Sequence, residues 1–282
     1  MKYEEKYYLQ IDVNQVVSLI NWLFFFNAWR LTGVFSEERE MEKRKIQHEA
    51  NELLQKIIQD NSLRINAFVG IFSAHADSEN ILISDDNSEI CLPMLRQQHP
   101  ASDGFCYSLA DFLNENDDKV GIFAVSVQGT EKLVAKFQSD GDNYNEILVK
   151  TLADRLVEAA TEWLHFKART EIWAYAANEI FEPSRLLREN YQGIRPAVGY
   201  PSLPDQSIIF ELDKIINFSK LGVELTENGA MFPNSSVCGL YFAHPKSKYF
   251  MIGKIDSAQL ADYARRREKS VDEMRKWLAV NL

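Results

Sequence analysis

The spacing of apolar residues changes several times along the chain, and each change predicts an element. Residues 13–30 hold a dense aromatic run, with Trp22, Phe24, Phe25, Phe26 and Trp29, and predict a helix. Residues 36–60 are rich in charge. There Ala50, Leu53, Leu54, Ile57 and Ile58 recur at helical spacing, which predicts an amphipathic helix. Residues 67–73 and 80–84 read as strands across a polar turn, and KVGIFAVSV at 119–127 is an apolar, β-branched run of strand length. The longest periodic segment is 143–178, where Leu148, Leu152, Leu156, Ala159 and Trp163 form one apolar stripe. A loop region with Pro183, Pro196, Pro201 and Pro204 follows. Then come a helix near 207–219, strands near 237–243 and 249–255, and two terminal helices, the last opening on a capping-box pattern at Ser270 and Glu273. Strands sit in short adjacent runs rather than in regular βαβ alternation. The expected fold is therefore α+β: a twisted antiparallel sheet flanked by helices, including one long helix near 143–178.

Composition narrows the function classes. The chain has 282 residues, 46% of them hydrophobic, enough to bury a core without covalent staples. A net charge of −10 argues against a nucleic-acid partner, because phosphate recognition needs an excess of lysine and arginine, and it suits a small cationic ligand better. Three widely spaced cysteines, Cys91, Cys106 and Cys238, form neither a disulfide framework nor a zinc cluster, which favours a reducing cytoplasm. MKYEEKYYLQ is too charged for a signal peptide. The most apolar stretch, Leu19 to Phe26, falls far short of the roughly 20 residues needed to span a bilayer and reads as a buried helix, so no membrane partner is expected.

Familiar catalytic signatures are missing. The chain has no GxGxxG before a helix, no GxxxxGK[ST] and no GxSxG. The five histidines lack metal-ligand spacing. A DxHxxG cobalt-binding pattern is also absent, so the chain is not expected to hold a corrin by itself.

The informative segment is RENYQGIRPAVGYPSLPD at 188–205. Prolines fix φ and bias the residue before them to extended backbone, so Arg195 sits on a stiff loop. Gly199 permits a close backbone approach, Arg195 can grip a carboxylate through two hydrogen bonds, and Tyr200 offers a flat ring and a hydroxyl. By pattern alone a proline-rich surface loop is the commoner reading. On the long helix, Asp154, Glu158 and Glu162 share one face by i, i+4 spacing and read as a solvated acidic stripe.

RPAVGYP at 195–201 resembles the S-adenosylmethionine-contacting segment of the reactivation domain of cobalamin-dependent methionine synthase. DNYNEILVKTLADRLVEA, LTENGAMFPNSSVCGLYFAHPKSKY and QLADYARRREKSVDEMRKWLAVNL resemble the same family in the same order, with weaker similarity in GFCYSLADF and LINWLFFFNAWRLTG. The resemblance implies one such domain over 1–282, encoded as a free-standing protein. It implies that Arg195, Ala197, Gly199 and Tyr200 line the ligand site, that Glu158 faces the ligand's amino-acid portion, and that Tyr249 lies near the ligand. A tyrosine beside a sulfonium is favoured by cation–π attraction. Asn21 stands where the family has an aspartate, and Phe232 where it more often has a tryptophan. Met231, Phe232 and Pro233 are the candidates for contact with a corrin on a partner.

The function so implied is repair. S-adenosylmethionine re-methylates oxidised cobalamin held by a separately encoded cobalamin-binding methyltransferase subunit, while a flavodoxin-like donor supplies one electron. The domain is expected to bind and orient, with no catalytic side chain of its own, and not to make methionine alone. The alternative is a non-catalytic S-adenosylmethionine-binding sensor or regulatory module, for which Asn21 is the sequence support.

Overall fold

Apolar runs with no polar alternation are the mark of strands covered on both faces, and that is how the central strands are used. A computed structural model describes residues 4–33, 36–85 and 88–282. In chain order the elements are β1 (Glu4–Ile11), α1 (Val13–Val16), α2 (Trp22–Ala28), α3 (Glu37–Gln59), β2 (Arg64–Asp77), β3 (Asn80–Asp85), β4 (Ser88–Pro93) and β5 (Asp118–Gln128). They continue with α4 (Thr130–Ser139), α5 (Asn143–Lys167), α6 (Pro183–Leu186), α7 (Ile209–Ile216), β6 (Glu224–Leu225), β7 (Met231–Phe232), β8 (Ser236–Tyr241), α8 (Ser257–Arg266) and α9 (Val271–Trp277).

The main sheet is a twisted antiparallel one, in the order β4-β3-β2-β5-β8, with β1 paired to β2 beside β3. Side chains alternate across a strand, so β5 sends Val120, Ile122 and Ala124 into one core and Phe123, Val125 and Val127 into the other. The first core is closed by α7 through Ile209, Leu212, Ile215 and Ile216. The second is closed by α5 through Val149, Ala153, Leu156, Val157 and Ala160, with α1 beside it. A third cluster packs α2 and α3 on the start of α5, and a fourth holds α8 and α9 against Leu95, Ile252 and Ile255. α8 is also tied down by buried polar groups. The Tyr263 hydroxyl donates to Asp205 at 2.8 Å, and Arg267 donates to Ser207 at 3.1 Å.

Several sequence expectations need correction. Residues 13–30 are not one helix: the chain breaks at Ile20–Asn21, because the Asn21 side chain caps a new helix there. The Leu19–Phe26 stretch is only half buried, with Leu23 61% and Phe24 54% exposed. The long helix expected near 143–178 is present: α5 runs on without a break through a π-helical segment, Ala168–Ile172, and only its last few expected residues are not helical. Residues 249–255 form no strand. That segment is irregular and is held by the Ile252 N–H, which donates to the Pro201 carbonyl at 2.9 Å. β1 and β4 had no counterpart in the apolar pattern. At α9 the Ser270 hydroxyl accepts from the Glu273 N–H, but the Glu273 carboxylate pairs with Lys269 instead of returning to the cap.

Candidate functional site

The RPAVGYP segment lies along β8. Ile194 and Phe242 exchange both backbone hydrogen bonds at 3.0 Å. The Leu240 N–H donates to the Pro196 carbonyl, and the Val198 N–H to the Cys238 carbonyl, each at 3.0 Å. Gly239 makes this approach possible: a Cβ there would sit 2.2 Å from the Pro196 oxygen. Beyond Ala197 the chain turns tightly, with the Tyr200 N–H donating to the Ala197 carbonyl at 3.2 Å and Gly199 at a φ of +83°. A Cβ at Gly199 would meet the Gln206 side chain at 2.3 Å. The glycine therefore serves the turn and its packing on Gln206 rather than an approach to the cavity.

Beside this segment lies a cavity of about 720 Å³, inside the ~300–1,000 Å³ range of small-molecule sites. Six of the seven predicted ligand residues line it: Asn21, Glu158, Arg195, Ala197, Tyr200 and Tyr249. Gly199 does not. The corrin-contact candidates lie elsewhere, on and just after the β6–β7 hairpin. There Met231 packs on the sheet core, Phe232 is 50% exposed and Pro233 is buried.

Each lining residue has a local cause. Asn21 has extended backbone, and its side-chain oxygen accepts from the N–H groups of Leu23 and Phe24 at 3.1 and 3.4 Å, an N-cap of α2. Phe24, in the first turn of that helix, also lines the cavity. Tyr249 accepts a hydrogen bond from the Arg195 N–H at 3.0 Å. On α5, which starts at the Asp142 cap, residues 155, 158 and 162 follow one face and bring Arg155, Glu158 and Glu162 to the cavity. That face is not uniformly solvated: Asp154 is exposed and accepts from Ser235, Glu158 is half-buried, and Glu162 is buried. The acidic-stripe reading thus fails for Glu162. The helix sinks into the molecule along its length, and the next polar residues on that side, His165 and Arg169, have no exposure at all.

Glu162 Oε2 accepts from Arg195 Nη2 at 2.9 Å, from Arg195 Nε at 3.2 Å and from the Tyr191 hydroxyl at 3.0 Å. Burial alone would pull the Arg195 pKa down. Glu162 first, then Tyr191, Tyr249 and Glu158, outweigh it, so this guanidinium stays charged. His165 is stacked on Tyr241 at 4.7 Å. Burial, then Arg169 and Arg195, hold its pKa well below 6.5, so it is neutral. Burial and the nearby Glu158 raise the Tyr200 hydroxyl, and burial raises Tyr249, so both rings are undissociated. The charged residues of the cavity wall are Arg155, Glu158, Glu162, Glu189 and Arg195, three carboxylates to two guanidinium groups. Leu19, Phe24, Leu186, Leu187, Val237, Phe250 and Met251 supply apolar wall. The arrangement suits a ligand with an apolar or aromatic body, a carboxylate and a net positive charge. No group of three or more His, Cys, Asp or Glu is placed to hold a metal ion among the described residues.

Sequence reading missed Arg155, Glu162 and Gly239. Gly239 had a signal: glycine inside a strand pattern marks a place where another backbone comes close.

Two comparisons bear on this cavity. Residues 12–268 match the family model described as vitamin B12 dependent methionine synthase, activation domain. A solved structure described as the MetH reactivation domain bound to AdoHcy superposes with a TM-score of 0.94 at 36% sequence identity, covering 99% of this chain and 90% of that one. Match and superposition run through β8, the RPAVGYP segment and α5 together, and the chain belongs to the activation-domain family of vitamin B12 dependent methionine synthase.

Proposed function

We propose that this chain, as one reactivation domain over 1–282, binds S-adenosylmethionine in the cavity between α5 and the RPAVGYP segment and presents it to a cobalamin carried by a partner. The observation that carries this reading is the convergence of Asn21, Glu158, Arg195, Ala197, Tyr200 and Tyr249 on one wall-lined space in a member of this family, whose solved relative is described as bound to AdoHcy.

The residues present fit such a ligand. Arg195 is held charged and takes the carboxylate, and Glu158 takes the ammonium. Phe24, Tyr200, Phe250 and Met251 shield the rest of the molecule from water, and Tyr249 sets the loop by accepting from the Arg195 N–H. The bound ligand supplies an electrophilic methyl group. This chain contributes binding and orientation, with no proton to move, and fixing the reacting group in place removes much of the entropic barrier to encounter. The partner is a separate cobalamin-binding methyltransferase subunit, with Met231, Phe232 and Pro233 among its contacts. A flavodoxin-like donor serves the complex. The setting is the cytoplasm, which suits the free thiols Cys91, Cys106 and Cys238.

Calorimetric titration with S-adenosylmethionine tests the site. Wild-type protein is expected to bind saturably, and Arg195→Ala to lose about 2–4 kcal/mol by removal of a charge-assisted contact. An Arg195→Ala protein of unchanged affinity would remove the role given to this residue. The sensor alternative separates in a second measurement, in which the domain, S-adenosylmethionine and a one-electron donor are added to a cobalamin-binding subunit: the donor reduces the oxidised cofactor by one electron, the methyl group passes from S-adenosylmethionine to cobalt with S-adenosylhomocysteine leaving, and the methylated form should return only when the domain is present.

A further inference from the structure

Glu162 has no role in the reading above, yet it is the most deeply placed charge on the cavity wall. Its side chain is 5% exposed, against 17% for Arg195. One oxygen, Oε2, receives Arg195 Nε, Arg195 Nη2 and the Tyr191 hydroxyl. The other, Oε1, is buried with no hydrogen-bond partner among the described residues. Burying a carboxylate that is only half satisfied is costly. For holding the fold together, an apolar residue would serve α5 better at this depth.

The arginine shows what the carboxylate does. A guanidinium has five N–H donors in a planar fork. Nε and Nη2 spend two of them on Glu162. The remaining three, on Nη1 and Nη2, have no protein partner among the hydrogen bonds of the described residues, and Arg195 lines the cavity. The free Nη1–Nη2 edge is the one that meets a carboxylate end-on through two parallel bonds. Arg195 is fixed at its root as well, because its own N–H donates to Tyr249. Glu162 therefore fixes one edge of the fork and leaves the other for a ligand.

We propose that Glu162 is a positioning residue for ligand recognition: it grips the Nε–Nη2 edge of Arg195 so that the Nη1–Nη2 edge faces the carboxylate of the ligand's amino-acid portion. This role rests on the ligand assignment made above. Glu162 touches no ligand atom; it acts through Arg195, and so it matters for ligands that carry the carboxylate and not for those that lack it.

The test is calorimetry on wild-type and Glu162→Gln protein with two probes: S-adenosylmethionine and its decarboxylated counterpart, which keeps the adenosine, sulfonium and amine. Glu162→Gln is expected to weaken S-adenosylmethionine binding at least about tenfold, ~1.4 kcal/mol, and to leave the decarboxylated probe within about twofold (~0.4 kcal/mol) of wild type. In an Arg195→Ala background the same substitution is expected to change neither affinity. Equal losses for both probes, no loss for either, or a loss that persists without Arg195 would each overturn the proposal. Should Glu162→Gln fail to fold, Glu162→Asp keeps the charge with a shorter reach and is read in the same way. Wild-type protein that binds neither probe overturns the ligand assignment and this role with it, whereas wild-type binding matched by Glu162→Gln overturns this role alone.

Discussion

At the scale of single residues, Asn21 shows how one side chain can serve fold and site together. Its oxygen caps α2, and the residue lines the cavity. An aspartate would make the same cap and add a favourable charge at the helix start, worth ~0.3–1 kcal/mol. Asn21→Asp is therefore expected to keep the fold and to tighten S-adenosylmethionine binding in a calorimetric titration; weaker binding would mean that the wall at α2 is not organised as in the family. Asn21→Ala is expected to lower stability by about 1 kcal/mol through the lost cap, read from a denaturant midpoint. Much of the site at this scale was legible in sequence, because the RPAVGYP segment and Glu158 can be matched by order and spacing. Glu162 was not. Helical spacing puts Asp154, Glu158 and Glu162 on one face, but says nothing of how deeply that face is covered along its length.

At the scale of elements, α5 carries the site from surface to interior. It begins at an exposed cap and ends in the π-helical turn, where Arg169 pairs with Glu179 at 2.8 Å and its guanidinium carbon lies 3.7 Å from the Tyr191 ring centre. His165, neutral and buried on this helix, has a consequence for pH. Its folded pKa lies below the unfolded value, so above about pH 6.5 both states are neutral and stability is complete. As pH falls below 6.5 the unfolded chain takes up a proton that the native chain refuses. Stability should then fall with a slope approaching ~1.4 kcal/mol per pH unit from this residue. Urea midpoints between about pH 5 and 8 would show the decline, and His165→Phe, which keeps a ring against Tyr241, should flatten it. An equal decline in that variant would place the effect elsewhere. Sequence resolved the elements whose apolar period is uninterrupted, namely α3, α5, β2 and β5. It missed the break before α2, where a polar cap sits inside an aromatic run, and it missed β1, whose EEKYYLQI mixes charge with aromatics. Residues 249–255 have the composition of a strand, but Ile252 spends its N–H on the Pro201 carbonyl of the RPAVGYP segment instead of a ladder.

At the scale of the whole molecule, the expected α+β class with a twisted antiparallel sheet holds, and two cores on opposite faces explain why the central strands read as unbroken apolar runs. The candidate cavity lies where several separate stretches of chain meet: the cap of α2, one face of α5, the residues at and after the end of α6, the loop laid along β8, and residues 249–251. Their distance in sequence is why no single motif announced the whole wall. That loop also closes the outer margin of the sheet. With residues 194–198 bonded to Cys238, Leu240 and Phe242, β8 offers a second chain little free backbone. Unpaired strand margins are templates for self-association. Gly239→Ala, which drives a methyl group into the Pro196 carbonyl, should therefore do more than blunt ligand binding. It should free β8 to recruit other copies, giving a rise in light scattering with concentration that saturating ligand, by pinning the loop, suppresses. The segment proposed to recognise the ligand would then also keep the protein dispersed, and loss of affinity and loss of solubility should travel together in variants of this loop.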